Sequence, residues 1–216
     1  MMSIAEGIAS IQNSIPSNVT LVAVSKTKPI EAIQEAYALG MRDFGENRPA
    51  ELVEKANNLP NDIRWHAIGH LQRNKASMVT PISTLIHAVD SVRLYDALSK
   101  HAGEKLDVLI QIHIADEQNK HGFSAVDFKK ILDAGGDFLS PNIKIRGLMG
   151  MATFTDNNSQ IMSEFKALRT LFDDISPTFG KDFDTLSMGM SGDWKIAIDE
   201  GSTLIRVGSA IFGSRN

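Results

Sequence analysis

Two lysines one residue apart close an apolar run in "VTLVAVSKTKP", residues 19–29, where Lys26 and Lys28 stand just before a helix-like segment. A lysine held at a strand end in a partly apolar pocket has its ammonium form disfavoured, and a second cation beside it pushes the same way. Such an amine is a nucleophile toward a carbonyl carbon. Near the other end of the chain, "LSMGMSGDWKIAIDEGSTLIRVGSAIFG" carries two glycine- and serine-bearing turns, Ser191-Gly192 and Gly208-Ser209-Ala210, each after an apolar run. Unpaired backbone N–H groups and a helix dipole both favour an anion at such a place. Arg206 interrupts the apolar run from Thr203 to Val207, and strand alternation points it to one face. Facing inward it needs a compensating partner; facing outward it pairs with a helix carboxylate.

The elements that must position these residues alternate along the whole chain. Strands are expected at Val19 to Ser25, Asp43 to Gly45, Arg64 to Gly69, Ser83 to Val89, Asp107 to Ile114, Lys144 to Met149, Thr185 to Met190 and Leu204 to Val207. Helical patterns lie between them at Ile30 to Leu39, Ala50 to Asn57, Arg73 to Val79, Val92 to His101, Ala125 to Asp133, Ser159 to Asp174 and Trp194 to Asp199. Eight strands with seven intervening helices predict an α/β fold, a single (β/α)8 TIM barrel, for which ~200 residues is near the compact limit. A doubly wound open sheet is the alternative. Gly40 stands where a helix wants a left-handed residue after its end, and Pro29 where a first-turn proline is tolerated. No linker, low-complexity tract or repeat divides residues 1–216, so one domain is expected.

In a parallel barrel the active site lies at the C-terminal ends of the strands. The residues that follow the predicted strands there include Lys26, Glu46-Asn47-Arg48, His70, Asp90, the segment from Asp116 to Lys120, Thr153, Ser191 and Gly208-Ser209. Loops are polar in any case, so it is their convergence that carries information. The loops after strands seven and eight commonly hold phosphate in such barrels. A nucleophilic lysine across the mouth then calls for a carbonyl compound that carries a phosphate, a description met by pyridoxal phosphate and equally by the substrate of a phosphosugar aldolase or isomerase.

Composition bounds the remaining choices. The 216 residues are 43% hydrophobic and 22% charged, as in a soluble globular protein, and no apolar run approaches the ~18 residues of a membrane helix. The opening "MMSIAEGIASIQNSI" reads as an amphipathic helix rather than a signal peptide, which makes the cytoplasm the expected compartment. With no cysteine, disulfides, thiolate metal sites and cysteine nucleophiles are excluded. A net charge of −4 without a basic block gives no support to a nucleic-acid surface.

The strings "LVAVSKTKP", "FGENR", "WHAIGHLQRNK", "IQIHIADEQNKHGF", "IRGLMGM" and the long segment around Arg206 together resemble the pyridoxal phosphate homeostasis proteins, whose barrel is that of the alanine racemase N-terminal domain. The resemblance implies that Lys26 forms a Schiff base with pyridoxal phosphate and that Ser191, Gly208 and Ser209 hold the phosphate. It implies that Arg206 faces the pyridine nitrogen, that Asn47 and His66 line the pocket, and that Lys120 takes part in secondary cofactor handling. His70 and Thr153-Phe154 depart from the family pattern. An always-protonated guanidinium beside the pyridine weakens its use as an electron sink. The two tyrosines, Tyr37 and Tyr95, lie in outer helices, and the sequence ends at Asn216 without the C-terminal domain that gives racemases their tyrosine base. The implied function is a non-catalytic, monomeric carrier in vitamin B6 homeostasis that buffers the cofactor or delivers it to apo-enzymes. The alternative is a weakly active amino-acid racemase using Lys26 with His70 or His113.

Overall fold

The structure, a computed structural model, describes residues 3–116, 121–135 and 138–213. Its elements run α1 (Ile4–Gln12), β1 (Thr20–Val24), α2 (Ile30–Ala38), β2 (Asp43–Glu46), α3 (Pro49–Asn58), β3 (Arg64–Ala67), α4 (Ala76–Val79), β4 (Ser83–Val89), α5 (Val92–Ser99), β5 (Leu106–Gln111), α6 (Ala125–Ala134), β6 (Ile143–Met149), α7 (Asn158–Phe179), β7 (Thr185–Ser187), α8 (Trp194–Asp199), β8 (Leu204–Val207) and α9 (Ser209–Phe212). The strands pair in chain order, and β8 pairs back onto β1 in parallel with Val22 opposite Arg206, which closes the barrel. The expected (β/α)8 barrel is therefore the observed fold, and the open sheet is ruled out.

Alternation along the strands sorts side chains into two cores. Leu21 and Ala23 of β1, Val108 and Ile110 of β5, and Ile205 and Val207 of β8 belong to the large cluster between sheet and helices. Their neighbours Val22, Leu109 and Leu204 belong to a separate small cluster with Leu85, Ala88 and Met149 inside the barrel. Arg206 stands between Ile205 and Val207, so the same alternation turns it into the lumen. One glycine makes the closure feasible: at Gly147 of β6, φ is +154° and an added Cβ would lie 1.8 Å from the carbonyl oxygen of Thr185 on β7.

Among the elements that depart from their expected lengths, three do so for local reasons. β7 stops at Ser187, two residues before Gly189 takes φ +96° and turns the chain. β5 stops at Gln111, after which Ile112 forms an isolated bridge with Phe123 while its N–H donates to the Met149 carbonyl at 2.8 Å. α7 runs through Pro177 to Phe179 instead of stopping at Asp174. Proline cannot donate to the carbonyl of Asp173, and the Ser176 hydroxyl donates to that oxygen instead, at 3.1 Å. The last turn is then held by Phe179 stacked on Phe183, with ring centroids 4.8 Å apart. No helix among the described residues is long and apolar enough to cross a membrane.

Candidate cofactor site

Lys26 lies in a turn immediately after β1, half-buried, in which the N–H of Lys28 donates to the carbonyl of Ser25 at 3.0 Å. Thr27 in that turn has φ +63°, a left-handed conformation that costs a non-glycine residue free energy unless its surroundings impose it. They do so through a buried ion network. Lys55 of α3 places all three of its N–H donors, on the carbonyl of Ser25 (2.8 Å), on Glu46 Oε1 (2.8 Å) and on Glu51 Oε1 (2.6 Å). The Ser25 hydroxyl donates to the same Glu46 oxygen at 2.5 Å, and the Thr27 N–H donates to Glu51 at 2.6 Å. Burial pushes the Glu46 carboxyl up, against the opposing pull of Lys55 and Ser25. Lys55 and Glu51 were absent from the expected site, because a Glu and a Lys four apart on a helix look like an ordinary surface pair.

Lys28 reaches across to the last helical turn of the described chain. Its ammonium reaches the carbonyls of Phe212 (2.9 Å) and Gly213 (3.2 Å), at the C-terminal end of α9. The side chain is a strap between the β1 turn and the final helical turn, where a cation complements the exposed carbonyls.

That final turn joins the second glycine-serine loop. Ser191 Oγ accepts the N–H of Gly208 at 3.2 Å and that of Ala210 at 3.5 Å, so the loops after β7 and β8 meet in one corner. Ser209 opens α9 within the same corner. A Cβ on Gly208 would stand 3.1 Å from the carbonyl oxygen of Val24, which sets this corner against the end of β1, two residues before Lys26. Ser191 Oγ still has its own proton to donate, and the main chain that opens α9 borders it, groups of a kind suited to phosphate oxygens. Asn47, after β2, is half-buried at the same mouth, with Gly69 packed so closely that a Cβ there would be 2.4 Å from the Asn47 carbonyl oxygen.

Arg206 forms the floor. Its guanidinium donates to Ser187 Oγ and, at 3.1 Å, to the carbonyl of Gly150, both at the C-terminal ends of their strands. Burial lowers its pKa to about 10, with the Asp193 carboxylate acting in the opposite direction, and so it stays protonated near neutrality.

Below Arg206 runs a line of hydrogen bonds whose direction is fixed by its two ends. Arginine only donates, so Ser187 Oγ accepts from Arg206 and turns its own proton to His87 Nδ1, 3.0 Å away. His87 then carries its proton on Nε2, which faces His66 Nδ1 at 2.9 Å, and His66 carries its proton on Nε2, which donates to Asp43 Oδ1 at 3.1 Å. Arg64 forks across both Asp43 oxygens, donating from Nε to Oδ1 at 2.7 Å and from Nη2 to Oδ2. Burial pushes the Asp43 carboxyl up, but hydrogen bonds from His66 and Arg64 and their charges outweigh it and hold the group below its usual range. His87 is fully buried; desolvation first, then the charges of His66 and Arg206, push its pKa well below the usual histidine value. It is therefore neutral, as the assigned tautomer requires.

This line sets His66 apart from the other residues that the resemblance implied. Its ring is engaged by His87 and by Asp43, the first residue of β2, and it borders a cavity of about 470 Å³ with Thr20, Thr185 and Thr203, at the N-terminal end of the barrel. Its ring turns inward, and its hydrogen bonds direct it toward His87 and Asp43. Lys120 lies outside the described residues. The structure thus brings together Lys26, Asn47, Ser191, Arg206, Gly208 and Ser209 at one mouth and leaves His66 below.

A closed parallel barrel with a lysine after its first strand and an anion corner after its last two defines the class. The chain belongs to the alanine racemase N-terminal domain family, whose profile matches residues 2–216. Within that family its relatives are pyridoxal phosphate homeostasis proteins. It is 39% identical to the one from Vibrio alginolyticus, over 100% of this chain and 99% of the relative, and 39% identical to the human one, over 91% and 76% respectively. Among solved structures it resembles PipY of Synechococcus elongatus without pyridoxal phosphate (TM-score 0.90, 38% identity, 98% of this chain and 100% of PipY). PipY with pyridoxal phosphate bound gives a TM-score of 0.87 at 36% identity, with the same coverage. Alanine racemase from Corynebacterium glutamicum shares the fold at 15% identity and a TM-score of 0.76, with 60% of the racemase covered.

Proposed function

We propose that this protein binds pyridoxal phosphate at the C-terminal mouth of its barrel and serves as a carrier of the cofactor, holding it and releasing it to apo-enzymes. Lys26 is the covalent anchor for the aldehyde, Ser191 with the Gly208 and Ser209 amides takes the phosphate, Arg206 meets the pyridine nitrogen, and Asn47 lines the mouth. The observation that carries the reading is the seam at Ser191, which joins the β7 and β8 loops into one anion corner against the end of β1. The names of the relatives and the pyridoxal phosphate bound in PipY support the same ligand. When bound, the cofactor supplies an electrophilic carbon and a conjugated ring.

The chain's own residues favour holding over turnover. Arg206 keeps its proton near neutrality, so it orients an unprotonated ring nitrogen and donates no proton to it. Tyr37 donates its hydroxyl proton to Asp62 at 2.7 Å, and the Tyr95 hydroxyl accepts from the N–H of Ser140 at 3.2 Å, both outside the barrel lumen. His70 is engaged by Asp90 at 2.9 Å.

Borohydride reduction of the loaded protein followed by peptide mapping is the test. The adduct is expected on Lys26 alone and should be lost in Lys26→Ala; an adduct on any other lysine overturns the anchor. Carriage is tested by mixing loaded protein with an apo-enzyme in the presence of a scavenger for free cofactor. Reactivation no better than that by free cofactor overturns the delivery role, and Lys26-dependent exchange of an amino-acid α-hydrogen with solvent would replace it with catalysis.

A further inference from the structure

A second group of chemistry-bearing side chains stands on the other side of the mouth, after β3, β4 and β5, and the proposed cofactor site uses none of it. His70 Nδ1 lies 2.9 Å from Asp90 Oδ2, and His121 Nδ1 lies 3.7 Å from the same oxygen. The two imidazole rings stack with centroids 3.8 Å apart and planes 19° from parallel. One donor atom from each of the three residues falls within 4.8 Å of the others. We propose that His70, Asp90 and His121 bind a divalent transition-metal ion of the zinc class, separate from the Lys26 site.

The donor set and its spacing point to that class of ion. Two imidazole nitrogens and one carboxylate oxygen suit zinc, cobalt, nickel or copper, whereas magnesium and calcium take all-oxygen shells. Around an ion with bonds of about 2.0–2.1 Å, donors at tetrahedral corners are about 3.3–3.4 Å apart. The observed separations of 2.9 and 3.7 Å from Asp90 Oδ2 bracket that edge. The rings must tilt toward each other for both lone pairs to converge, and their side-chain exposures of 45% and 58% leave room for that rotation. Water would complete the fourth position, as in three-ligand zinc sites.

The supporting contacts hold the donors in place before any ion arrives. Asp90 is only 11% exposed, and its other oxygen accepts the Ser91 hydroxyl at 3.2 Å, which leaves Oδ2 facing the imidazoles. The carbonyl of His121 accepts from the buried Gln111 amide at 3.1 Å. Gly122 follows at φ +120°, where a Cβ would stand 3.0 Å from the Gln111 carbonyl oxygen, so this backbone lies flat on β5. His70 stands between Gly69, pressed on Asn47, and the buried Leu71. An ion there would tie together the loops after three successive strands.

The test uses the full-length chain carrying Lys26→Ala and freed of metal by chelation, so that loss of cofactor binding cannot be mistaken for loss of metal binding. Titration with Co²⁺ should give saturable visible d–d bands at one equivalent, and Zn²⁺ should displace it. His70→Ala and His121→Ala should each weaken binding by at least about tenfold, a loss of the size seen when even outer-shell partners are removed. Zn²⁺ should also raise the unfolding temperature of the parent and leave that of His121→Ala unchanged. Absence of a saturable band, or His70→Ala and His121→Ala variants that fold and bind Co²⁺ like the parent, overturns the site.

Discussion

The directed line beneath Arg206 makes a quantitative prediction through His87. In the folded protein this imidazole is held neutral by burial, with its pKa well below the usual value near 6.5. In the unfolded chain it titrates near 6.5. As pH falls through that value the unfolded state takes up a proton that the folded state refuses, so stability is fully present above about pH 6.5 and is lost below it. The loss approaches about 1.4 kcal/mol per pH unit, or about 1.6 kcal/mol between pH 6.5 and 5, as long as the folded pKa lies below that range. Two substitutions separate this term from packing. His87→Leu strands the Ser187 hydroxyl and His66 Nδ1, at about 1–3 kcal/mol each. His87→Gln offers an acceptor and a donor in their place, so it should cost much less and abolish the pH-dependent term. Urea midpoints measured from pH 7.5 to 5 read the slope, and nitrogen NMR of the apo-protein reads the tautomers, expected as Nε2–H for both His87 and His66. A His87 that titrates near 6.5 in the folded protein, or a His87→Gln variant with the same slope as the wild type, refutes the reasoning.

Two further outcomes follow from the supports around the mouth. Lys55→Met leaves Glu46 and Glu51 facing each other without their shared ammonium, and should destabilise by about 3–5 kcal/mol in chemical denaturation and weaken cofactor binding through the Lys26 turn. Gly147→Ala puts a Cβ 1.8 Å from the Thr185 carbonyl oxygen at φ +154° and should cost more than about 4 kcal/mol, seen as loss of soluble protein, whereas Gly103→Ala, with nothing within 4 Å, should express normally.

The barrel was legible because its signal is periodic and repeated: β4, β8 and α8 lie where the apolar pattern placed them. The errors at strand and helix ends arise from backbone geometry and packing just past those ends, which periodicity within the element does not encode. The Phe179–Phe183 stack that carries α7 past Pro177 cannot be read from α7 itself. Lys26, Ser191, Arg206 and Gly208 stood out in the sequence because each interrupts a simple pattern with a residue of distinct chemistry. For His66 the resemblance implied a pocket residue, and no sequence pattern says where along the lumen its partners His87 and Asp43 lie. His87 was missed although the signal was there, a histidine inside the apolar run "TLIHAV". Lys55 gave no such signal.

The two supports have a property in common that bears on the proposed carrier role. The Glu46–Lys55–Glu51 network fixes the backbone that presents Lys26, and the line from Asp43 to Ser187 fixes the guanidinium across from it. In each, a buried charge meets its opposite through fully directed hydrogen bonds, so a change of protonation at any member breaks the others' partners. Catalytic acids and bases work best with pKa values poised near the operating pH. Burial lowers the pKa of both His87 and Arg206, yet leaves them on opposite sides of neutrality, the imidazole deprotonated and the guanidinium, at about 10, still protonated. A floor built this way keeps one charge state across the physiological range, which suits a protein that must bind the same cofactor reversibly more than one that must move protons on and off it.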